Sequence, residues 1–150
     1  HILNVRSRDN SRTPMQWNAK NNAGFTDGKP WIKINENYST VNVENEMNDS
    51  KSILSYYRQL LKLRKEKRAL TDGKIKFIYR EIPNLFAYIR CIGSEKIVVL
   101  NNFSAEKISF KNELSNKAKS VLLGNYDDGY AVGESILLRP YESMVLELKS

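Results

Sequence analysis

The chain has 150 residues, 41% of them apolar and 27% charged, with a formal net charge of +7. That is enough apolar matter to bury a core, and it excludes a disordered chain. Its apolar runs, residues 97–100, 121–123 and 136–138 among them, fall far short of the ~20 residues that cross a bilayer, so neither a transmembrane helix nor a membrane partner is expected. No signal peptide is visible. The single cysteine, Cys91, excludes an internal disulfide framework and a cysteine zinc site. A reducing, cytoplasmic setting is the expectation that follows. The only histidine is His1, which leaves nothing internal for histidine-based catalysis or imidazole ligation. The chain starts without Met and is expected to be a processed product or an excised piece. Its chemistry must fall to carboxylates or lie in sequence outside it, and no metal or cofactor is expected.

The positive charge is unevenly placed. Residues 1–72 hold 13 basic and 8 acidic side chains, and residues 73–150 hold 11 and 9. Seven bases and one acid (Glu66) fall between Lys51 and Arg68. Cations there lie opposite an apolar face or complement the C-terminal end of a helix dipole. No RNP, KH or zinc-finger pattern accompanies them, so no nucleic-acid partner is expected.

In chain order, residues 1–48 are polar, Asn-rich and irregular, with turn signals at Ala23-Gly24, Asp27-Gly28 and Lys29-Pro30. Trp17, Phe25 and Trp31 argue that this long loop is fastened to something. Asp49 or Ser50 can cap a following helix. Ile53, Leu54, Tyr56, Tyr57, Leu60, Leu61 and Leu63 recur with a 3.6-residue period and predict a helix over about 50–68, its stripe facing a substantial neighbour. From Gly73 the pattern is β. Seven strands are predicted: 74–80, 85–92, 96–102, 107–111, 120–124, 135–139 and 143–149, separated by Pro83-Asn84, Gly93-Ser94 and Asp127-Asp128-Gly129. In the last, Met144, Leu146 and Leu148 point one way and Val145, Glu147 and Lys149 the other. The fold class is mainly β: an antiparallel sandwich of Greek-key type over residues 73–150, after a 1–72 segment of loop and helix.

Few residues signal chemistry. Asp127-Asp128 lacks the further ligands of a calcium site and reads as a turn. Glu44 and Glu46 read as a solvated approach to the helix. Cys91 reads as a small inert core residue. No nucleophile elbow, P-loop or dinucleotide fingerprint occurs. The dense polar run is Arg6-Ser7-Arg8-Asp9-Asn10-Ser11-Arg12-Thr13-Pro14-Met15-Gln16-Trp17. Arginine forks and a Trp face suit a hydroxyl-rich ligand, and a buried Arg–Asp network holding a loop would look the same.

The string SRDNSRTPMQW, followed by NAGFTDGKPWIKIN and NYSTVNVE, closely resembles a segment of the oligo-1,6-glucosidase group of the α-amylase superfamily, glycoside hydrolase family 13. SILSYYRQLLKLRKEKRAL resembles the last helix of that group's (β/α)8 barrel, and ILLRPYESMVLEL the last strands of its C-terminal β-sandwich. The resemblance implies a retaining glycosidase acting on α-glucosidic bonds of short oligosaccharides, of isomalto-, malto- or trehalose-6-phosphate type. Such an enzyme uses two carboxyl groups about 5–5.5 Å apart. None of the group's three catalytic acid motifs lies in this chain, so no catalytic residue is assigned and the chain alone is expected to be inactive. By resemblance Asp9 and Arg12 line the substrate pocket, Arg8 supports the loop, and Trp17, Phe25 and Trp31 anchor it to the barrel. Asn18 departs from the group, where an Asp commonly follows Gln-Trp. The implied partners are the rest of the barrel and an α-linked glucose oligosaccharide. The apolar stripe further implies that this piece self-associates or repacks onto the β domain. The alternative is a free-standing carbohydrate-binding module using Tyr79, Tyr88, Tyr126, Tyr130 and Tyr141, for which packing within the β domain is the preferred reading.

Overall fold

The computed structural model describes residues 8–114 and 118–149. Three short 3-10 turns, Arg8–Ser11, Asn21–Gly24 and Glu36–Ser39, are followed by helices α1 (Val43–Asn48), α2 (Ile53–Glu66) and α3 (Ala69–Asp72). Eight strands come next: β1 (Lys74–Ile78), β2 (Leu85–Ile92), β3 (Glu95–Asn102), β4 (Ile108–Lys111), β5 (Ala118–Gly124), β6 (Ala131–Val132), β7 (Ser135–Leu138) and β8 (Ser143–Leu148). The chain forms two compact units, residues 1–58 and 59–150, with the boundary inside α2. Among the described residues no helix is long and apolar enough to cross a membrane.

In the first unit a helix, α1, occupies part of the stretch read as irregular. Its apolar positions are too few to show a period. Local chemistry builds it instead: the Asn42 side chain accepts the Asn45 amide at 2.9 Å, and Glu44 and Glu46 sit in the first turn, where the dipole favours acids. The predicted start of α2 also moves. Its cap is Ser52, whose Oγ accepts the Ser55 amide at 3.1 Å, and not Asp49 or Ser50. Asp49 accepts the Lys51 amide in a turn ahead of the helix. Glu46 is more than a solvated approach, because its carboxylate accepts the Leu54 amide at 3.1 Å in the first turn of α2. Ser52 is 6% exposed and also donates to the Glu46 carbonyl at 2.6 Å. Ser52→Ala is therefore expected to cost about 0.5–2 kcal/mol, read by urea titration of the helical signal.

No residue of α2 is buried. Ile53, Tyr57 and Leu61, one turn apart, are exposed at 83%, 58% and 45%. That row is the outer part of the predicted stripe.

The second unit is a two-layer antiparallel sandwich. One sheet has the order β1-β2-β3-β8-β5 and the other β4-β7-β6. The chain leaves β3 for β4 of the small sheet, returns as the edge strand β5 of the large sheet, crosses again to β6 and β7, and comes back as β8 between β3 and β5, a return of the expected Greek-key kind. Among the described residues one strand more than predicted is present. β6 has only two residues, too few to alternate visibly. The core between the layers contains Val98, Leu100, Phe110, Ile136, Leu138, Met144, Leu146 and Leu148. Ile97, Val99 and Val145 point out of the opposite face of the large sheet and are covered by Ala69, with Leu63 and Leu70 beside them. β3 is thus buried on both faces, which explains its uninterrupted apolar run. Polar bonds fasten α3 there. Lys67 Nζ meets Glu147 at 2.7 Å, the Ala69 amide donates to Glu95 at 3.1 Å, and Arg90 donates to the carbonyls of Thr71 and Gly73. Cys91 is half-buried on β2, so the expected core placement is corrected.

Asp127-Asp128-Gly129 is a turn, as predicted, with Gly129 at φ +89. It is held by Arg139. That guanidinium pairs with Asp128, donates to Glu142 at 2.7 and 3.0 Å, and lies 3.8 Å from the Tyr126 ring centroid. Glu142 is 1% exposed and would be costly to bury without these donors. The Arg139 hydrogen bond holds the Asp128 carboxyl below its ordinary 3.8. A depressed carboxyl stabilises the fold above its unfolded pKa, and that contribution is lost as pH falls through the folded value. The Asp128 contact should thus persist at neutral pH and fail only below about pH 4. In Arg139→Ala the Asp128 titration followed by NMR should move up; an unchanged titration would contradict this origin of the shift.

Candidate functional site

The site is assembled by the loop of the first unit. Of the polar run, Arg6 and Ser7 and the side chain of Arg8 lie outside the described residues. The backbone turns at Arg8–Ser11, where the Arg12 amide donates to the Asp9 carbonyl at 3.1 Å. This brings the Arg12 guanidinium onto the Asp9 carboxylate as an ion pair. Both side chains stay about half exposed, at 49% and 52%. Arg12 also lies 5.9 Å from the Trp31 ring centroid. Thr13, Asn35 and Gln16 are linked in sequence: Asn35 Nδ2 donates to Thr13 Oγ1 at 3.2 Å and to Gln16 Oε1 at 3.3 Å. Gln16 then donates to Asn37 Oδ1 at 3.2 Å and to the Val41 carbonyl.

A cavity of about 800 Å³ opens beside this ladder. Asp9, Thr13, Trp31, Lys33, Asn35 and Glu36 line it. Lys33 and Glu36 form an exposed pair at 2.6 Å, and the Lys33 hydrogen bond lowers the Glu36 carboxyl from its ordinary value. Lys33, Asn35 and Glu36 were not singled out from sequence, and Thr13 only as a member of the polar run. The i,i+3 spacing of Lys33 and Glu36, the first residue of the Glu36–Ser39 turn, is the signal that could have found that pair.

The next segment is tightly built. The Trp17 amide donates to the Ala23 carbonyl at 2.9 Å, while the Gln16 and Trp17 carbonyls accept the Val43 and Glu44 amides at the start of α1. Asn22, Ala23 and Gly24 are all left-handed, with φ of 52, 55 and 66. Two of them are not glycine, a cost that persists only where the surroundings hold them. Asn22 Nδ2 spans the loop to the Thr26 and Gly28 carbonyls, each at 2.9 Å, and Ala23 is fully buried. A Cβ at Gly24 would lie 2.5 Å from Asn18 Nδ2. Asn18 Oδ1 accepts the Lys20 amide at 3.0 Å, so this position serves the turn without a charge.

The structure thus brings Asp9, Arg12 and Trp31 together and leaves Trp17 and Phe25 elsewhere on the loop. All three aromatics remain exposed: 49% at Trp17 and Phe25, 84% at Trp31. The Asp9 carboxylate and the Trp31 ring line the open cavity, with the Arg12 guanidinium paired to Asp9 beside it, and together they can hydrogen-bond and stack on a polyhydroxylated ligand. Among the described residues no group of three or more metal-ligating side chains occurs.

The two parts of the chain match two family models. Residues 1–73 match the α-amylase catalytic domain, and residues 85–145 match the α-amylase SusG C-terminal domain. Loop, terminal helices and sandwich therefore define a chain of the α-amylase type, and the protein belongs to the α-amylase family of glycoside hydrolases. It is 43% identical over 147 residues to the oligo-1,6-glucosidase of Bacillus cereus, covering 97% of this chain and 26% of that protein. It is 39% identical over 150 residues to the trehalose-6-phosphate hydrolase of Bacillus subtilis, covering 98% and 27%. Among solved structures, the trehalose-6-phosphate hydrolase of Bacillus licheniformis superposes with a TM-score of 0.88 at 38% identity, covering 99% of this chain and 28% of that one. The isomaltulose synthase of a Klebsiella species superposes with a TM-score of 0.88 at 36% identity, covering 99% and 27%. The chain thus spans about a quarter of the length of the relatives it matches.

Proposed function

We propose that this chain is the C-terminal portion of a retaining glycoside hydrolase acting on α-glucosidic bonds of short oligosaccharides. Residues 1–72 are the end of its barrel and residues 73–150 its C-terminal domain. The single observation that carries this reading is the Asp9–Arg12 pair, whose Asp9 lines an open cavity, set on a loop within the α-amylase catalytic-domain match. Asp9 and Arg12 bind sugar hydroxyls, the carboxylate accepting and the guanidinium donating. Arg8 supports the loop, and Trp17, Phe25 and Trp31 fasten it to the remainder of the barrel, which is the principal partner. The chain holds no catalytic carboxylate pair and serves structure and substrate binding. The exposed row Ile53, Tyr57 and Leu61 belongs to the same barrel contact; in the isolated chain it drives self-association.

The purified chain should show no turnover of p-nitrophenyl α-glucoside, and the complete reading frame should encode the remaining barrel and hydrolyse isomaltose, maltose or trehalose-6-phosphate. Turnover by the chain alone overturns the inactive assignment. A complete frame without a barrel overturns the whole reading. The free-standing sugar-module alternative has little support from the tyrosines. Tyr79 is buried, and Tyr126 and Tyr130 face Arg139.

A further inference from the structure

A cavity of about 440 Å³ is formed wholly by residues of the second unit. Asp128, Tyr130, Ala131, Leu137 and Arg139 line it. Its floor follows from the small sheet. Ala131 pairs with Leu137 across β6 and β7, while the next pair, Val132 with Ile136, packs on the core. Alternation therefore turns Ala131 and Leu137 outward, and Leu137 is 37% exposed. The wall is the turn ahead of β6, where Tyr130 is fixed. Its hydroxyl donates to the Tyr126 carbonyl at 2.6 Å, and its ring sits on Gly124, where a Cβ would overlap it. Arg139 is fixed as well. Its Nε donates to Glu142 at 3.0 Å, and its Nη2 donates to Glu142 at 2.7 Å and to the Gly129 carbonyl at 2.8 Å. Nη1 has two N–H groups and gives one to Asp128. The Asp128 side chain is 77% exposed, and its carboxylate has more lone pairs than this pair uses.

We infer that this cavity is a second carbohydrate seat, taking one glucose unit of a neutral α-linked oligosaccharide in addition to the loop cavity. The choice of sugar rests on the proposed function above; the neutral, hydroxyl-rich class rests on the cavity itself. Its volume falls within the range of about 300–1,000 Å³ typical of small-molecule sites. A pyranose has apolar C–H faces and a rim of hydroxyls. Leu137, Ala131 and the Tyr130 ring supply the apolar surface. The Asp128 carboxylate accepts from one hydroxyl, and the second Nη1 N–H of Arg139 donates to its neighbour, so the pair matches adjacent hydroxyls of one ring. Asp128 and the buried Glu142 outnumber Arg139, so the local charge is negative and disfavours a phosphate. Among the described residues no third acid completes a cation site. Arg139 is held by Glu142 before a ligand arrives, which limits the ordering that binding must impose. The Tyr126 and Tyr130 hydroxyls are already engaged, so this seat differs from a tyrosine-led free-standing module.

The 150-residue chain, labelled with nitrogen-15, can be titrated with maltotriose, isomaltotriose and inorganic phosphate while its amide resonances are followed by NMR. The Gly129, Tyr130, Ala131 and Leu137 amides should shift saturably with at least one trisaccharide and stay in place with phosphate. Asp128→Asn keeps the shape but loses the charged acceptor, and should weaken binding about tenfold. Leu137→Arg lays a long side chain over the floor from a position that faces away from the core, and should abolish the shifts. The remaining amides of each variant should overlay those of the unsubstituted chain, which shows that it is folded. No saturable shift at these amides in the unsubstituted chain overturns the inference. So do shifts that persist unchanged in both variants, and so does phosphate binding at the same amides. Hydrolysis of isomaltose by the unsubstituted enzyme from the complete reading frame is read separately. An active enzyme with a silent cavity rejects this seat and leaves the proposed function standing. Saturable sugar shifts beside an inactive enzyme keep the seat and reject that function.

Discussion

Asp9→Asn, made in the enzyme that carries this segment, should lower kcat/KM for isomaltose by about 10- to 100-fold. A hydrogen bond from a neutral hydroxyl to a charged group is worth about 1.5–3 kcal/mol, and the amide keeps the shape but replaces one acceptor with a donor. Arg12→Ala should cost a comparable factor, because it removes a donor and also frees the Asp9 carboxylate. The two losses should not add, since the side chains form one pair. Stability should scarcely change in either variant: both groups are about half exposed, and exposed pairs contribute little. Kinetics of the two single variants and the double variant, with a thermal melt of each, check all of this. A large loss of stability with unchanged kinetics would make the pair a loop fastener.

Leu146→Ala carries the largest stability effect. Leu146 is fully buried in the interior strand β8, opposite Val98 on one side and Val121 on the other. Truncating such a side chain costs about 2–5 kcal/mol, from lost burial and from the cavity left behind. For a unit of this size the midpoint should fall by about 10 °C or more. Leu137→Ala is the control. It removes the same atoms from β7 of the other sheet, but Leu137 is 37% exposed, and its cost should stay within about 1 kcal/mol. Urea melts of both variants test the comparison. Equal losses would mean that the core boundary is misplaced.

The strand pattern was legible because each strand reports on its own surroundings. β2 matches the predicted Leu85–Ile92 end to end, and the alternation of Met144, Leu146 and Leu148 places them in the core. β6 escaped because two residues cannot alternate, and α1 because side-chain caps, not an apolar stripe, define it. The loop resisted for a different reason. Its order comes from single hydrogen bonds between residues far apart, such as Asn35 with Thr13 and Gln16 with Val41, and these leave no periodic trace.

The amino-acid sequence by itself determined the β class, the central helix and the loop motif with its family resemblance. All of these rest on local pattern: period, turn residues and one long polar string. Only the tertiary structure decided which face of each element is covered. It put Ala69 over Ile97 and Val99, set Arg12 against Asp9 and 5.9 Å from the Trp31 ring beside an open cavity, and left Ile53, Tyr57, Phe86 and Phe103 exposed. Burial is a property of neighbours brought together from distant positions, and no stretch of chain encodes its partner's surface alone.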